Sequence, residues 1–181
     1  MTDGFALFDT AIGLCGVAWN AQGLTGVMLP LSEGGDPHAR MARRHPGAEE
    51  GEPPPAVGEA IAGMQALLRG EKRDLLEVAL DDGAIAPLAA QVYAIARAIP
   101  PGQTLTYGDI ARRLGDVGLS RAVGQALGAN PWPIVVPCHR ILAAGGRKGG
   151  FSAPGGADTK LRMLEIEGAL APETLPLFGG R

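Results

Sequence analysis

The stretch Asn130-Pro131-Trp132-Pro133-Ile134-Val135-Val136-Pro137-Cys138-His139-Arg140 decides how this chain is interpreted. Its apolar run, Ile134 to Val136, predicts a strand that ends at a cysteine between a proline and a histidine. Pro137 fixes its own φ and biases Val136 toward extended conformations, so the Cys138 thiol is held on a rigid backbone. A free cysteine is mostly protonated at neutral pH. A nucleophilic Cys138 therefore needs a neighbouring base.

His139 is the adjacent candidate for that base. Neighbouring side chains on a strand point to opposite faces, so direct contact between Cys138 and His139 requires a turn of the strand or a bridging water. The residues alone leave two interpretations open, a buried structural cysteine and a reactive one.

Two short helices joined by a glycine-containing turn are predicted just before this stretch. They run from about Tyr107 to Leu114 and from Ser120 to Gly128, with the turn at Gly115 to Gly118. Such a pair has the form of a helix-turn-helix, which binds DNA in some proteins and is purely structural in many. Glycine inside a helix costs about 0.5–1 kcal/mol relative to alanine, so Gly124 and Gly128 indicate a close approach by another helix or by a nucleic-acid strand.

The remaining patterns predict an α/β N-terminal domain over residues 1–83 and a mainly helical C-terminal domain over residues 84–181. A β-meander is expected at the start of the chain, and residues 32–55 are expected to be a surface loop or a partly helical connector. The other predicted elements are a helix ended by Gly70, a strand, a second helix, and a last helix capped by Asp158 or Thr159 and ended by Gly168. The stretches that carry these patterns are Phe5–Asp9, Leu14–Trp19 and Leu24–Leu29 for the meander, Val57–Leu68 for the first helix and Leu75–Leu80 for the strand. Leu88–Ile99 carries the pattern of the second helix, and Leu161, Leu164 and Ile166 mark the last one.

Composition predicts a folded, cytoplasmic protein. Hydrophobic residues make up 46% and charged residues 19% of the 181 residues, and no apolar run or leader pattern predicts a membrane span or a secretion signal. Two cysteines, Cys15 and Cys138, support neither a disulfide framework nor a zinc cluster, and His38 and His45 are expected to face solvent. Residues 1–100 carry 13 acidic and 7 basic side chains, whereas residues 101–181 carry 6 and 9. A polyanion would bind the second part.

Several motifs in consistent order, from about residue 85 to residue 170, resemble the O6-alkylguanine-DNA alkyltransferases. The resemblance rests on the acceptor motif Pro137-Cys138-His139-Arg140 and on Asn130-Pro131 upstream of it. It is supported by the further matches Ile99-Pro100-x-Gly102, Thr106-Tyr107-Gly108, Arg121-Ala122-Val123-Gly124 and Glu167-Gly168. Residues 1–80 match the family only in general layout. The resemblance implies a ribonuclease H-like layout with a small antiparallel sheet, followed by a winged-helix-like domain that contains the helix-turn-helix.

The resemblance also implies roles for individual residues. Cys138 would accept the alkyl group, activated through a bound water by His139, which Glu167 would orient. Asn130 would tie the helix-turn-helix to the active site. Tyr107 would lie at the DNA phosphate and donate a proton to the leaving base. Arg121 would take the place of the flipped base in the DNA stack. The other residues that would contact the DNA or the flipped base are Gly124, Leu127, Trp132, Pro133, the backbone near Ile141, Phe151 and Ser152.

The implied function is DNA repair by direct reversal, in which the alkyl group of O6-alkylguanine, or of O4-alkylthymine, passes irreversibly to Cys138 after base flipping. Attack on a saturated carbon yields a thioether, which offers no carbonyl for water to attack, so each molecule acts once. The expected partner is double-stranded DNA, bound by a monomer largely without sequence preference, and no cofactor, metal or membrane is expected. Two departures from the family pattern, at Phe151–Gly156 and before the final helix, leave the pocket width open. The alternative is a protein that binds the lesion without reacting.

Overall fold

The computed structural model describes residues 3–143 and 156–169. The strands, in chain order, are β1 (Gly4–Thr10), β2 (Gly13–Trp19), β3 (Leu24–Met28), β4 (Glu49–Glu50), β5 (Leu105–Thr106) and β6 (Ile141–Leu142). The helices are α1 (Pro37–Arg44), α2 (Pro55–Leu68), α3 (Pro87–Arg97), α4 (Tyr107–Arg113), α5 (Ser120–Gly128) and α6 (Gly156–Ile166).

The first three strands form the predicted meander, and the sheet has the order β3-β2-β1-β4. β1 and β2 pair antiparallel over their whole length, as do β2 and β3 with one irregularity at Ala18/Trp19. The expectation of a purely antiparallel sheet is wrong, because β4 pairs in parallel with the start of β1. The chain reaches that edge after a crossover through the connector, which is what a parallel pair requires.

The connector is partly helical, as one of the two expectations had it. Asp36 accepts a hydrogen bond from the Ala39 main-chain N–H, and Pro37 occupies the first turn of α1, so the helix begins with a capped end. Met41 is its buried contact with the sheet region.

The core extends without a break from the sheet to the C-terminal helices. α2 lies against β1 and buries Met64 and Leu67, while α3 buries Val92 and Ala96. These apolar positions confirm the two helices that the 3.6-residue pattern predicts.

The predicted strand from Leu75 to Leu80 is wrong. Leu75 has a φ of +57°, and only Leu80 forms a bridge, to Leu24. The Arg97 guanidinium donates hydrogen bonds to the carbonyls of Leu75 (2.9 Å) and Val78 (3.0 Å), so these groups are bound by a side chain instead of a neighbouring strand.

The predicted pair of helices is confirmed as α4 and α5, joined by a 3-10 turn at Val117–Leu119. A capping box starts α4: the Thr106 hydroxyl accepts from the Asp109 N–H, and the Asp109 carboxylate accepts from the Thr106 N–H. The side chains that begin α4 are therefore held in a fixed direction.

The predicted strand at Ile134 to Val136 is also wrong. Ile134 has a φ of +79°, and the Val136 N–H donates to the Trp132 carbonyl, so this segment folds into turns. Cys138 begins a 3-10 turn that ends at Arg140, and β6 follows it directly, paired in parallel with β5.

The last helix is confirmed, but its start is not where the sequence predicted it. α6 already begins at Gly156, so Asp158 lies inside the first turn and neither Asp158 nor Thr159 is the N-cap. Gly168, with a φ of +73°, follows the helix end as expected. Within the described part of the chain, no helix has the length and apolarity to cross a bilayer.

Candidate active site

The segment before Cys138 is held by hydrogen bonds from the side chains of Asn130 and Trp132. The Asn130 side chain accepts from the Trp132 N–H (2.9 Å) and donates to the Val136 carbonyl (2.9 Å). The Trp132 indole donates to the Leu24 carbonyl at 2.8 Å. An amide that uses donor and acceptor together ties the end of α5 to the turn that carries Cys138.

Cys138 is buried, with 8% of its surface exposed. Burial raises the pKa of its thiol, while hydrogen bonding from Asn130, the charge of Lys160 and main-chain N–H groups act in the opposite direction. Cys15 has no such surroundings: burial raises the pKa of its thiol to about 11 against one hydrogen bond from Thr10. Of the two cysteines, Cys138 therefore has more groups arranged to favour a thiolate: an amide, a cation and main-chain N–H groups, against a single hydroxyl at Cys15.

His139, Glu167 and Arg140 form a buried cluster beside Cys138. His139 Nε2 lies 2.7 Å from Glu167 Oε1, and Arg140 donates to both carboxylate oxygens, through Nε at 2.9 Å and through its terminal nitrogen at 2.8 Å. A further Arg140 nitrogen donates to the Ile99 carbonyl at 2.7 Å. All three side chains are almost fully buried.

The electrostatics of this cluster define its protonation state. Burial raises the pKa of Glu167, but the hydrogen bonds from His139 and Arg140 and the charge of Arg140 outweigh it and hold that pKa at about 2. Burial is also the largest influence on His139 and lowers its pKa, so the imidazole is neutral. The anionic carboxylate can only accept, which assigns the proton to Nε2.

That assignment leaves Nδ1 of His139 with a free lone pair. The atom is buried and has no hydrogen-bond partner among residues 3–143 and 156–169. A neutral imidazole whose N–H is bound to a carboxylate is a general base at its other nitrogen. The arrangement can therefore withdraw a proton from a nearby donor.

Lys160 is a site residue that the sequence reasoning missed. It is 1% exposed, its ammonium donates to the Ile141 carbonyl at 2.7 Å, and its charge favours the Cys138 thiolate. The spacing offered a signal, because Lys160 lies seven residues before Glu167, which directly follows α6, and residues seven apart lie on one side of a helix. Arg140 was named only as part of the acceptor motif, and its hydrogen bonds to the Glu167 carboxylate were not predicted.

Tyr107 is the first residue of α4, and Arg121 lies in the first turn of α5. Tyr107 is half-buried, and its pKa is raised by burial and then by the negative charge that Cys138 can carry. Arg121 is exposed in the first turn of α5 and makes no hydrogen bond or ion pair with any residue of the described segments. Its guanidinium is available to a partner.

Gly124 does not serve to pack protein elements together. A Cβ built on Gly124 would meet no atom of the described residues within 4 Å, which removes helix packing as the reason for this glycine. The bare face of α5 is open, as close approach by a nucleic-acid strand would need.

The other predicted base contacts have differing surroundings. Trp132 is 1% exposed and packs edge-on against Tyr93 with a centroid separation of 6.1 Å, which is the position of a core side chain. Pro133 is half-buried, and Leu127 and Ile141 are buried. Phe151 and Ser152 lie outside the described residues. Within those residues, no group of three His, Cys, Asp or Glu side chains could hold a metal.

Comparisons of sequence agree on one family. The sequence model described as 6-O-methylguanine DNA methyltransferase, DNA binding domain, matches residues 87–169. A methylated-DNA–protein-cysteine methyltransferase of Methanothermobacter thermautotrophicus is 33% identical over 153 residues, which are 84% of this chain and 78% of the relative. A DNA base-flipping protein of Thermus thermophilus is 44% identical over 115 residues, covering 63% of this chain and 73% of that protein.

Solved structures agree with the sequence comparisons. The crystal structure of Mycobacterium tuberculosis O6-methylguanine methyltransferase superposes with a TM-score of 0.73 at 31% identity, covering 94% of this chain and 95% of that one. The crystal structure of Mycobacterium tuberculosis OGT in complex with DNA gives a TM-score of 0.68 at 30% identity, covering 93% and 95%. The similarity extends over nearly the whole of both chains.

Proposed function

We propose, from the premise that this chain belongs to the methylated-DNA–protein-cysteine methyltransferases and repairs DNA by direct reversal of damage, that Cys138 is the alkyl acceptor and O6-alkylguanine its substrate. The observation that carries this assignment is the buried pairing of His139 with the ionised Glu167, which leaves the other imidazole nitrogen free to act as a base.

The proposed activation proceeds in two steps. His139 Nδ1 withdraws the thiol proton of Cys138 through a bridging water, because residues adjacent in the chain are poorly placed for direct transfer. Glu167 stabilises the imidazolium that forms, and Arg140 holds the carboxylate in place. Lys160 stabilises the thiolate through its charge.

The transfer itself exchanges one bond for another. The Cys138 sulfur forms a bond to the saturated alkyl carbon while the bond between that carbon and O6 of guanine breaks. The Tyr107 hydroxyl protonates the leaving base and regains a proton from the His139 imidazolium. In the net reaction the thiol proton therefore replaces the alkyl group on guanine. The thioether left on Cys138 is stable, and the molecule is consumed.

The proposed substrate must leave the duplex before it can react. A stacked base cannot present its O6-alkyl carbon to a buried thiol, and extrusion costs a few kcal/mol. Arg121, exposed at the start of α5, would fill the space that the base leaves, and the open backbone at Gly124 would lie in the minor groove. Phosphate contacts give affinity without sequence preference, which suits lesions that occur anywhere.

The finer architectural and cellular expectations belong to the same proposal. The three-stranded meander followed by a helix supports a ribonuclease H-like layout for the first part of the chain, and the pairing of β5 with β6 beside the helix-turn-helix supports a winged-helix-like second part. A monomer that meets double-stranded DNA in the cytoplasm is the expected working form.

Intact-mass measurement tests the proposed function. After incubation with a duplex that contains one O6-methylguanine, the protein mass should rise by one methyl group, and the modified peptide should contain Cys138. Cys138→Ser should bind the duplex without gaining mass, whereas the matched control Cys15→Ser should react like the unaltered protein. Tight binding with an unchanged mass would instead identify a protein that marks the lesion, and a methyl group on Cys138→Ser would exclude Cys138 as acceptor.

A further inference from the structure

Three distant segments meet at the main-chain carbonyl of Glu167. The Lys72 ammonium, in the loop after α2, donates a hydrogen bond to this oxygen at 2.7 Å. Gly102, with a φ of +93°, lies so close that a Cβ there would stand 3.1 Å from Lys72 Nζ and 3.2 Å from the Glu167 oxygen. A Cβ on Gly70 would stand 3.7 Å from the carbonyl oxygen of the neighbouring Ile166.

The position of Glu167 at the helix end explains why its carbonyl needs an external donor. α6 ends at Ile166; the Glu167 N–H still donates to Met163, and the following Gly168 N–H donates to Glu165. Among the described residues, the Glu167 carbonyl accepts a hydrogen bond from Lys72 alone. A cation at the C-terminal end of a helix also meets the negative pole of the helix dipole.

The two ends of Glu167 are therefore held by different parts of the chain. Its carbonyl is bound from the N-terminal part by Lys72, and its carboxylate is bound by His139 and Arg140. We propose that Lys72 is a positioning residue for the alkyl transfer: by holding the Glu167 main chain, it fixes the point from which the carboxylate reaches His139. This inference rests on the proposed roles of Cys138, His139 and Glu167.

The proposal has a consequence for the chemistry of His139. When the Glu167 main chain is released, its carboxylate holds the Nε2–H of His139 less firmly, and Nδ1 becomes a weaker base. The other charged groups that face this cluster, Arg140 and Lys160, remain in place, so the change acts through Glu167. Proton withdrawal from Cys138 then slows most at neutral pH, where few thiols ionise unaided.

The experiment compares Lys72→Met with the unaltered protein across a range of pH. Two rates are measured by mass spectrometry, carboxamidomethylation of Cys138 by iodoacetamide and methyl transfer from an O6-methylguanine duplex in a single turnover. We expect both rates to fall about three- to ten-fold at pH 7, the value of one ordinary hydrogen bond, and the difference to shrink as the pH rises. The same total amount of protein should react in the end.

Two further variants make the result decisive. Lys72→Arg restores a cationic donor and should recover most of the rate, whereas the adjacent Arg73→Met removes an exposed cation that makes no hydrogen bond or ion pair with the described residues and should change nothing. A Lys72→Met profile parallel to the unaltered one, with the same loss at every pH or none, would overturn the proposal. Because the iodoacetamide arm needs no DNA, it can succeed even where the proposed repair function fails, and the duplex arm of the unaltered protein tests that function separately.

Discussion

The charge of Glu167 can be tested through folding stability, by the substitution Glu167→Gln. The carboxylate is buried and accepts hydrogen bonds from His139 at 2.7 Å and from Arg140 at 2.8 and 2.9 Å. The amide has nearly the same shape, but it is neutral and its NH2 group would face donors. Stability should therefore fall at neutral pH.

The size of the pH-dependent part follows from the pKa. Glu167 has a pKa of about 2 in the folded protein against an ordinary value of 4.5. A depressed carboxyl pKa stabilises the fold above the ordinary value, and this contribution disappears as the pH falls through 4.5 toward 2. It amounts to about 3 kcal/mol at pH 7 and about 2 kcal/mol at pH 3.5.

Urea unfolding at pH 7 and at pH 3.5 measures this contribution. The stability difference between the unaltered protein and Glu167→Gln should be smaller at pH 3.5 than at pH 7 by about 1 kcal/mol, because only the unaltered protein carries the ionised group. Glu165→Gln, at an exposed position of α6 two residues before Glu167, is the control and should show no such change. A difference that stays constant between the two pH values would refute the claim that Glu167 is held ionised.

Three other substitutions test separate parts of the site. Arg121→Ala should slow repair of a duplex more than reaction with a free base analogue, measured as single-turnover rates, and equal losses would contradict its role in flipping. Asn130→Ala leaves the Trp132 N–H without its partner and removes one of the two donors to the Val136 carbonyl, which keeps the Cys138 N–H; it should lower the unfolding free energy in urea by about 1–3 kcal/mol, and an unchanged value would show that water replaces the amide. Trp132→Phe removes one of the two donors to the Leu24 carbonyl, which keeps the Asp81 N–H, and should cost about 0.5–1.5 kcal/mol in the same assay, whereas no loss would mean that this bond adds nothing to stability.

Sequence patterns predicted those elements whose conformation depends mainly on residues close together in the chain. The meander and the helices α2 to α5 follow from apolar periodicity and from turn residues, which act over a few positions. The alternation at Leu75 to Leu80 failed because Arg97, from a distant helix, binds carbonyls that a strand would offer to its neighbour. The apolar run at Ile134 failed because its turns depend on hydrogen bonds to Asn130 and Trp132.

The candidate site was predictable to a different degree. Cys138, His139 and Glu167 could be named from motifs, and the structure brings the histidine and the glutamate together. Lys160 could have been predicted from the sequence, because it lies seven residues before Glu167 and therefore on the same side of the last helix as the residue that follows it. Lys72 was not, since 95 residues separate it from the carbonyl it binds and nothing local marks that contact.

The outer edge of β3 is covered in part by the segment of chain that leads to Cys138. The Leu24 main chain pairs with Ala79 and Asp81, and the Val27 N–H donates to the Pro131 carbonyl at 2.8 Å. An uncovered strand edge is a template for joining other molecules into aggregates. A substitution that loosens the Pro131 segment would therefore expose this strand edge and displace Cys138 together. Variants that destabilise this segment should aggregate as well as lose the geometry of the site.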